Sequence, residues 1–405
     1  MADLIHPDEA LKLVLEGAKP LPVESRPLEE TAGYYLYDDI AAACDLPPFD
    51  NSAMDGYALR ECDGKGAGQN SPVSLSITQT ISAGTVPTSL TSGSAAKIMT
   101  GAPMPEGADT VLPREYTREN EGSVDLLEAP EVGDHVRCKG DDMRAGDPLM
   151  PAGRRLRPYE IGLLAAQGLA DIRVHARARA AILSSGDELV PFTDRLSPGR
   201  IRNSSGPALA SLVSSWDCVP VACGITTDRE DAIKEAITRA LTHADSLLLC
   251  GGVSVGDFDF TRSALDSLGF EERFWRTAIR PGKPLLFGLL NGKPVFGLPG
   301  NPMSTLVTAE VFVRPALERM SGSRGGEDPF GEIGTLEAPF RKPRALRHFL
   351  FCSAKTDDNG KTSIKVLEPQ GSALLGMGAR ANALAVGPEG VADLEPGMEM
   401  RFKWL

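Results

Sequence analysis

Hydrophobic positions change period several times along this chain, and each change marks a different kind of structure. From about Ala10 to Ala43 apolar residues fall at helical spacing, most plainly in EALKLVLEGA, with a second helical segment expected from near Pro27. From Cys44 to about Asp147 the texture is Gly, Pro, Ser and Thr, broken by the short β-prone runs PVSLSITQT, SAAKIMT, DTVLPREY and SVDLLE. Helical period returns in RPYEIGLLAAQGLA, Arg157 to Ala170, and ends near Gly168. The β segment therefore reads as an insertion into a helical connecting domain.

From about Ile172 to Arg319 apolar runs alternate with amphipathic ones. AAIL precedes a helix near Pro207 to Trp216, VPVACGI precedes EDAIKEAITRAL, and SLLLC precedes a helix near Phe260 to Leu268. That alternation is the signature of a doubly wound α/β domain. LLFGLL and PVFGL flank Asn291 and Gly292, and an Asn-Gly pair between apolar runs predicts a hairpin. After a linker-like stretch, Gly322 to Asp328, the runs IKVLEP, ALAVGP and MEMRFKWL predict a small β domain. The expected fold is multidomain α/β: a helical connecting domain (1–43 and 148–171), an inserted β domain (44–147), a doubly wound α/β domain (172–322) and a C-terminal β domain (329–405).

Composition narrows the function. A net charge of −13 opposes general nucleic-acid binding, because a phosphate backbone would be repelled by the mean field. The Arg-rich stretches Arg154 to Arg157, Arg173 to Arg179 and Arg341 to Arg347 read as solvated faces or salt-bridge partners. No apolar stretch approaches the roughly 18 residues of a membrane span, and Asp3, Asp8 and Glu9 stand where a secretory signal needs cations. Seven cysteines without a CxxC pair and five scattered histidines give neither a disulfide framework nor zinc-ligand spacing. The expected compartment is cytoplasmic and reducing, with Cys44, Cys218 and Cys250 as inert buried thiols.

The chemistry concentrates between Leu247 and Pro315. LLLCGGVSVGDFDFTR and VFGLPGNPMS each carry a glycine-marked turn from an apolar run toward a helix, and such turns present backbone N–H groups to anions. Gly251, Gly252 and Ser254 in the first, and Pro299, Gly300, Asn301 and Pro302 in the second, form the candidate cradle. Asp257, Asp259, Arg262, Arg276, Arg280 and Lys283 lie between them. SSGDELV adds Ser184, Ser185, Asp187 and Glu188 at the end of the first strand, and GITTDRED adds Thr226, Thr227 and Asp228 after the second. Acids delivered by three strands to one rim repel one another unless a cation such as Mg²⁺ sits among them. Each element also has a plain structural role: a tight turn at GGVSVG, a helix cap at Asn301 or Ser304, and turn caps at Asp55 and Thr100.

Taken together these strings resemble the molybdopterin molybdenumtransferase family, the MoeA-type proteins related to the gephyrin E domain. The resemblance runs through PPFDNSAMDGYA (47–58), MTGAPMPEGADTV (99–111), VRCKGDDMRAGD (136–147), EIGLLAAQGL (160–169), SSGDELV (184–190), CGGVSVGDFDFT (250–261), RPGKP (280–284), GLPGNPMS (297–304) and QGSA (370–373). It implies a homodimer whose site joins the α/β domain of one subunit to the inserted β domain of the other. It also implies a transferase that uses Mg²⁺, joins molybdate to adenylylated molybdopterin and releases AMP. Its functional acids fall on Asp55, Glu188, Asp228 and Asp259, the last three being candidate metal ligands, and its polar contacts on Thr100, Arg137 and Asp142. Expected partners are a molybdopterin adenylyltransferase and molybdoenzyme apoproteins. Arg276 and Arg280 stand where relatives commonly carry Lys, and GDD at Gly140 to Asp142 replaces the more usual GED. Rival readings are an adenylyltransferase-like enzyme, whose loop would be GGTG-like, and a non-catalytic dimeric scaffold.

Overall fold

The computed structural model describes residues 4–252, 260–325 and 329–405. Residues divide into two compact units, one of 1–38, 152–161 and 170–405, the other of 39–151 and 162–169.

In the first unit a six-stranded sheet runs in the spatial order Val219–Thr226, Arg179–Ser185, Ser246–Cys250, Lys293–Leu298, Leu286–Leu290, Glu271–Trp275. The first four are mutually parallel and the last two antiparallel. Alternate side chains of each strand enter different cores. Ala180, Ile182, Leu248, Cys250, Phe296 and Leu298 pack with the helix Ser205–Ser215 and the helical run from Pro302 to Met320. Ala181, Leu183, Leu247, Leu249 and Val295 face the helices Glu230–Leu241 and Phe260–Ser267. Both faces are therefore covered, which is why these strands read as unbroken apolar runs. The Asn-Gly hairpin forms as expected: Asn291 and Gly292 both adopt positive φ, +52° and +77°.

The end of the same unit closes into a five-stranded barrel. Arg347–Thr356 pairs with both Thr362–Val366 and Ala383–Gly387, and Glu332–Leu336 and Glu399–Trp404 complete the ring. Ile279–Arg280, a short strand leaving the α/β domain, adds in parallel to Arg347–His348. Between barrel and helices a buried ion pair, Lys403 Nζ to Glu310 Oε2 at 2.5 Å, sits on a π-helical turn, Ala309–Val313.

The amphipathic start is a helix, Pro7–Gly17, but the helical reading of the stretch from Pro27 to Ala43 is overturned. Val23–Pro27 is a strand antiparallel to Asp171–His175, and Leu28–Glu30 is one 3-10 turn. Prolines at 20, 22 and 27 withhold N–H groups, and Gly33 turns the chain at φ +80° beside the Asp217 carboxylate, so strand pairing prevails over local spacing. The helix Pro158–Ala166 is started by Glu160, whose carboxylate accepts from Arg157 N at 3.0 Å and from the Arg154 and Arg157 guanidinium groups.

The second unit is a six-stranded sheet in the order Thr110–Pro113, Gly56–Leu59, Ser94–Ile98, Gly68–Ile81, Ser123–Glu128, Thr117–Asn120. Period-two alternation again splits it into two small cores, one around Tyr57, Leu75, Ala95 and Leu126, the other around Ala58, Ile81, Ala96 and Val111.

Candidate active site

In the α/β sheet the chain passes from its first strand to one neighbour and returns to the other, so a crevice opens between the carboxyl ends of Arg179–Ser185 and Ser246–Cys250. Three loops meet there, and the turn at Gly251 and Gly252 leaves no room for a side chain. A Cβ on Gly251 (φ +95°) would lie 2.5 Å from the Ser185 carbonyl oxygen, and one on Gly252 (φ +65°) 2.2 Å from Thr261 Oγ1. A Cβ on Gly300 would touch the Gly251 Cα at 3.8 Å, so the two glycine turns lie side by side. Asn301 occupies the helix N-cap position without a side-chain capping bond, leaving its amide for other work.

The acidic rim is organised by backbone. Ser185 Oγ donates to Asp228 Oδ1, Asp187 N donates to Asp228 Oδ2 at 3.2 Å, and Asp228 N donates back to Asp187 Oδ1 at 3.3 Å. Ser185 ends its strand rather than opening the loop, as does Thr226. Glu188 is exposed on the same loop and makes no hydrogen bond or ion pair with another described side chain. Asp257, Asp259 and Ser254 lie outside the described residues. Among the described residues no three His, Cys, Asp or Glu side chains group as a metal site.

Beside the glycine turns opens a pocket of about 300 Å³. Its polar lining comes from Arg280 and Lys283, from Asn301 and Ser304, and from His348, Gln370 and Ser372 of the C-terminal barrel region; none of its lining residues is a carboxylate. Pro299 lines it too, while Gly300 and Pro302 flank it in the same turn. The barrel is fastened here by Met303 N donating to Ser372 O at 2.9 Å. His348 is 4% exposed, and burial, with Arg280 and Lys342 nearby, pushes its imidazole down to about 4. Arg276 lies outside the lining, its guanidinium stacked 4.0 Å over the Trp275 ring. Arg262 likewise pairs with Glu272 at 2.7 Å.

In the second unit Asp55 and Thr100 are joined twice: the Thr100 backbone N–H and hydroxyl both donate to Asp55 Oδ1, at 2.8 and 2.7 Å. These bonds hold the Asp55 carboxyl below the usual range although it is solvent-exposed. Arg137 stands exposed in a two-residue strand paired to Asn51–Ser52, and Asp142 N donates to Leu46 O at 2.9 Å. All four residues belong to this unit.

Three family models match the chain: the MoeA N-terminal region (domain I and II) over residues 5–168, a probable molybdopterin binding domain over 181–319, and the MoeA C-terminal region (domain IV) over 334–403. A molybdopterin molybdenumtransferase of Haemophilus influenzae is 33% identical over 94% of this chain and 93% of its own length. A molybdopterin molybdenumtransferase 2 of Mycobacterium tuberculosis is 34% identical over 96% of each. The chain belongs to the molybdopterin molybdenumtransferase family. The molybdopterin biosynthesis moeA protein of Pyrococcus horikoshii OT3 has the same fold, with a TM-score of 0.83 at 28% identity and full coverage of both chains.

Within the family frame, Asp55, Thr100, Arg137 and Asp142 fall in the N-terminal region, while Ser185, Glu188, Asp228, both glycine turns, Arg280 and Lys283 fall in the molybdopterin binding domain. His348, Gln370 and Ser372 belong to the C-terminal region. Sequence reading gave these three no role, although QGSA was among the matching strings.

Proposed function

We propose that this protein transfers molybdenum from molybdate to adenylylated molybdopterin, forming molybdenum cofactor and releasing AMP. The observation that carries this reading is the carboxylate-free pocket holding Arg280 and Lys283 at the turn of Pro299 and Asn301, which lies against the Gly251 turn. Molybdate is a dianion and the adenylylated pterin brings a pyrophosphate, so the obstacle is like-charge crowding. Arg280 and Lys283 offset that charge, Asn301, Ser304 and Ser372 orient the oxyanion, and the turns let backbone N–H groups approach where a side chain would collide. Arg keeps the charge usual in relatives but offers a planar fork in place of a compact ammonium.

Mg²⁺ fits the rim's donor chemistry. Each Asp228 carboxylate oxygen accepts one protein hydrogen bond and keeps a further lone pair, and the Glu188 carboxylate makes no hydrogen bond or ion pair with another described side chain. These two, with Asp259, would hold the ion, which when bound polarises a pyrophosphate. In this reading the protein works in the cytoplasm as a homodimer, and the Asp55–Thr100 corner of one subunit, with Arg137 and Asp142, completes the crevice of the other. A molybdopterin adenylyltransferase supplies the substrate and molybdoenzyme apoproteins receive the product. No helix among the described residues is long and apolar enough to cross a membrane.

The test incubates purified protein with adenylylated molybdopterin, Mg²⁺ and molybdate, and measures AMP together with cofactor formed. Coupled appearance of both is expected. Arg280→Ala should raise the molybdate requirement at least about thirtyfold, equivalent to roughly 2 kcal/mol or more of lost charge pairing, with Arg280→Lys recovering much of it. AMP release independent of molybdate, or a scaffold-like protein with neither product, would reject the reading.

A further inference from the structure

Arg280 and His348 are Cα partners in parallel strands, so their side chains emerge on one face, and both line the pocket. The next strand on the other side contributes Gly387 opposite His348, and the Lys342 stem fills the space that a Cβ at Gly387 would take. His348 is almost fully buried, its Nδ1 has no hydrogen-bond partner, and its ring makes no side-chain hydrogen bond among the described residues. Buried polar groups are nearly always satisfied, so an orphan in a pocket wall points to a partner that the chain does not supply.

The charges around it are of one sign. Arg280 stands on the neighbouring strand and Lys283 on the turn that follows it. Lys342 approaches from the loop before the barrel strand, its Nζ bound to the Pro343 and Leu346 carbonyls. Arg347, the adjacent residue, is taken up by Asp8 and Glu389, which leaves those carboxylates committed elsewhere. Phe340 approaches with its ring centroid at 6.1 Å. Burial, with cations nearby, keeps the imidazole neutral, and a seated dianion beside it offsets that by favouring the charged ring.

We propose that His348 is the proton-linked contact of this pocket, neutral when the pocket holds no anion, hydrogen-bonded to a seated dianionic oxyanion, and protonated as that dianion arrives. This rests on molybdate binding at Arg280 and Lys283. The proton comes from solvent and moves to an imidazole nitrogen; no other bond changes. The pocket thereby acquires a further positive charge only when two negative charges are present, which favours dianions over monoanions of similar size.

The experiment uses the full chain with molybdate as the probe. With only five histidines, the His348 ring resonance can be assigned by comparison with His348→Gln. Its NMR titration midpoint should rise by at least about two pH units when molybdate saturates the protein. Calorimetry in buffers of different ionisation heat should show proton uptake on binding between about pH 5 and 6 that is absent from His348→Gln, whose molybdate affinity should lose its pH dependence between about pH 4 and 6. An unmoved midpoint in molybdate-saturated wild type, or equal proton uptake by His348→Gln, overturns the proposal even though molybdate binds. Molybdate that fails to bind wild type, or binds Arg280→Ala equally well, overturns the placement in this pocket and the proposal with it.

Discussion

Asp187 and Asp228 hold each other reciprocally, each backbone N–H donating to the other's carboxylate, with Ser185 Oγ closing the group from the strand end. Two loops that leave different strands are thereby locked into one rim, and Glu188 is carried on the locked segment. Asp187 touches no proposed substrate group; it positions Asp228. Asp187→Ala should lower turnover roughly tenfold with little change in pterin KM, because misplacement of reacting groups costs rate before binding. Asp187→Asn keeps an acceptor for the Asp228 N–H and should restore most of the loss. Equal turnover in the Ala and Asn variants would leave the pair as a turn motif without a positioning role.

The Asp55–Thr100 pair predicts a pH effect. Asp55 is held below the ordinary carboxylate range by the Thr100 N–H and hydroxyl, so the bonds favour its ionised form. A depressed carboxyl contributes above its unfolded value and loses that contribution as pH falls through the lowered one. Thr100→Val removes the hydroxyl alone and should move the Asp55 titration upward. If ionised Asp55 is needed for turnover, the acid limb of the rate profile should move upward with it. NMR titration of the Asp55 carboxyl carbon in both proteins checks the first part, and the rate profile the second.

Glu160 is the start signal of the helix Pro158–Ala166, and the Arg157 and Arg154 guanidinium groups hold its carboxyl at about 2. Its contribution is full above the ordinary Glu range and is lost as pH falls toward that value. Glu160→Gln, which cannot pair as an anion, should therefore melt below wild type at pH 7, by roughly 1–3 kcal/mol for charged hydrogen bonds. The gap should narrow as the buffer is made acidic. A gap independent of pH would assign the role to packing.

The buried pair of Lys403 with Glu310 ties the last strand of the barrel to the π-helical turn. Lys403→Met leaves a carboxylate in the interior with Arg314 only at 3.8 Å, and should cost about 3 kcal/mol of unfolding free energy. The double variant Lys403→Met with Glu310→Leu should recover part of this, because the stranded charge is gone. Chemical denaturation of the three proteins measures it, and additive losses would argue against a direct pair.

Local pattern carried much of this molecule. Alternation of apolar runs with amphipathic ones marked five of the six strands of the α/β sheet, all but Glu271–Trp275, because a strand covered on both faces needs apolar residues on both, as in Leu247 to Cys250. Asn291-Gly292 marked its hairpin because few other pairs accept two consecutive positive φ angles. The glycine turns could be marked for the same local reason, as could the acids in loops after strands. Tertiary structure decided what those residues meet. It stacked Arg276 on Trp275 and left Arg280 in the pocket, and it made Val23–Pro27 a strand through a partner far along the chain. It joined Asp55 to Thr100 and brought His348, Gln370 and Ser372 from the far end of the chain to Arg280. Period and turn chemistry are properties of neighbours in sequence, whereas the charge, burial and partners of a side chain belong to whatever the fold places beside it.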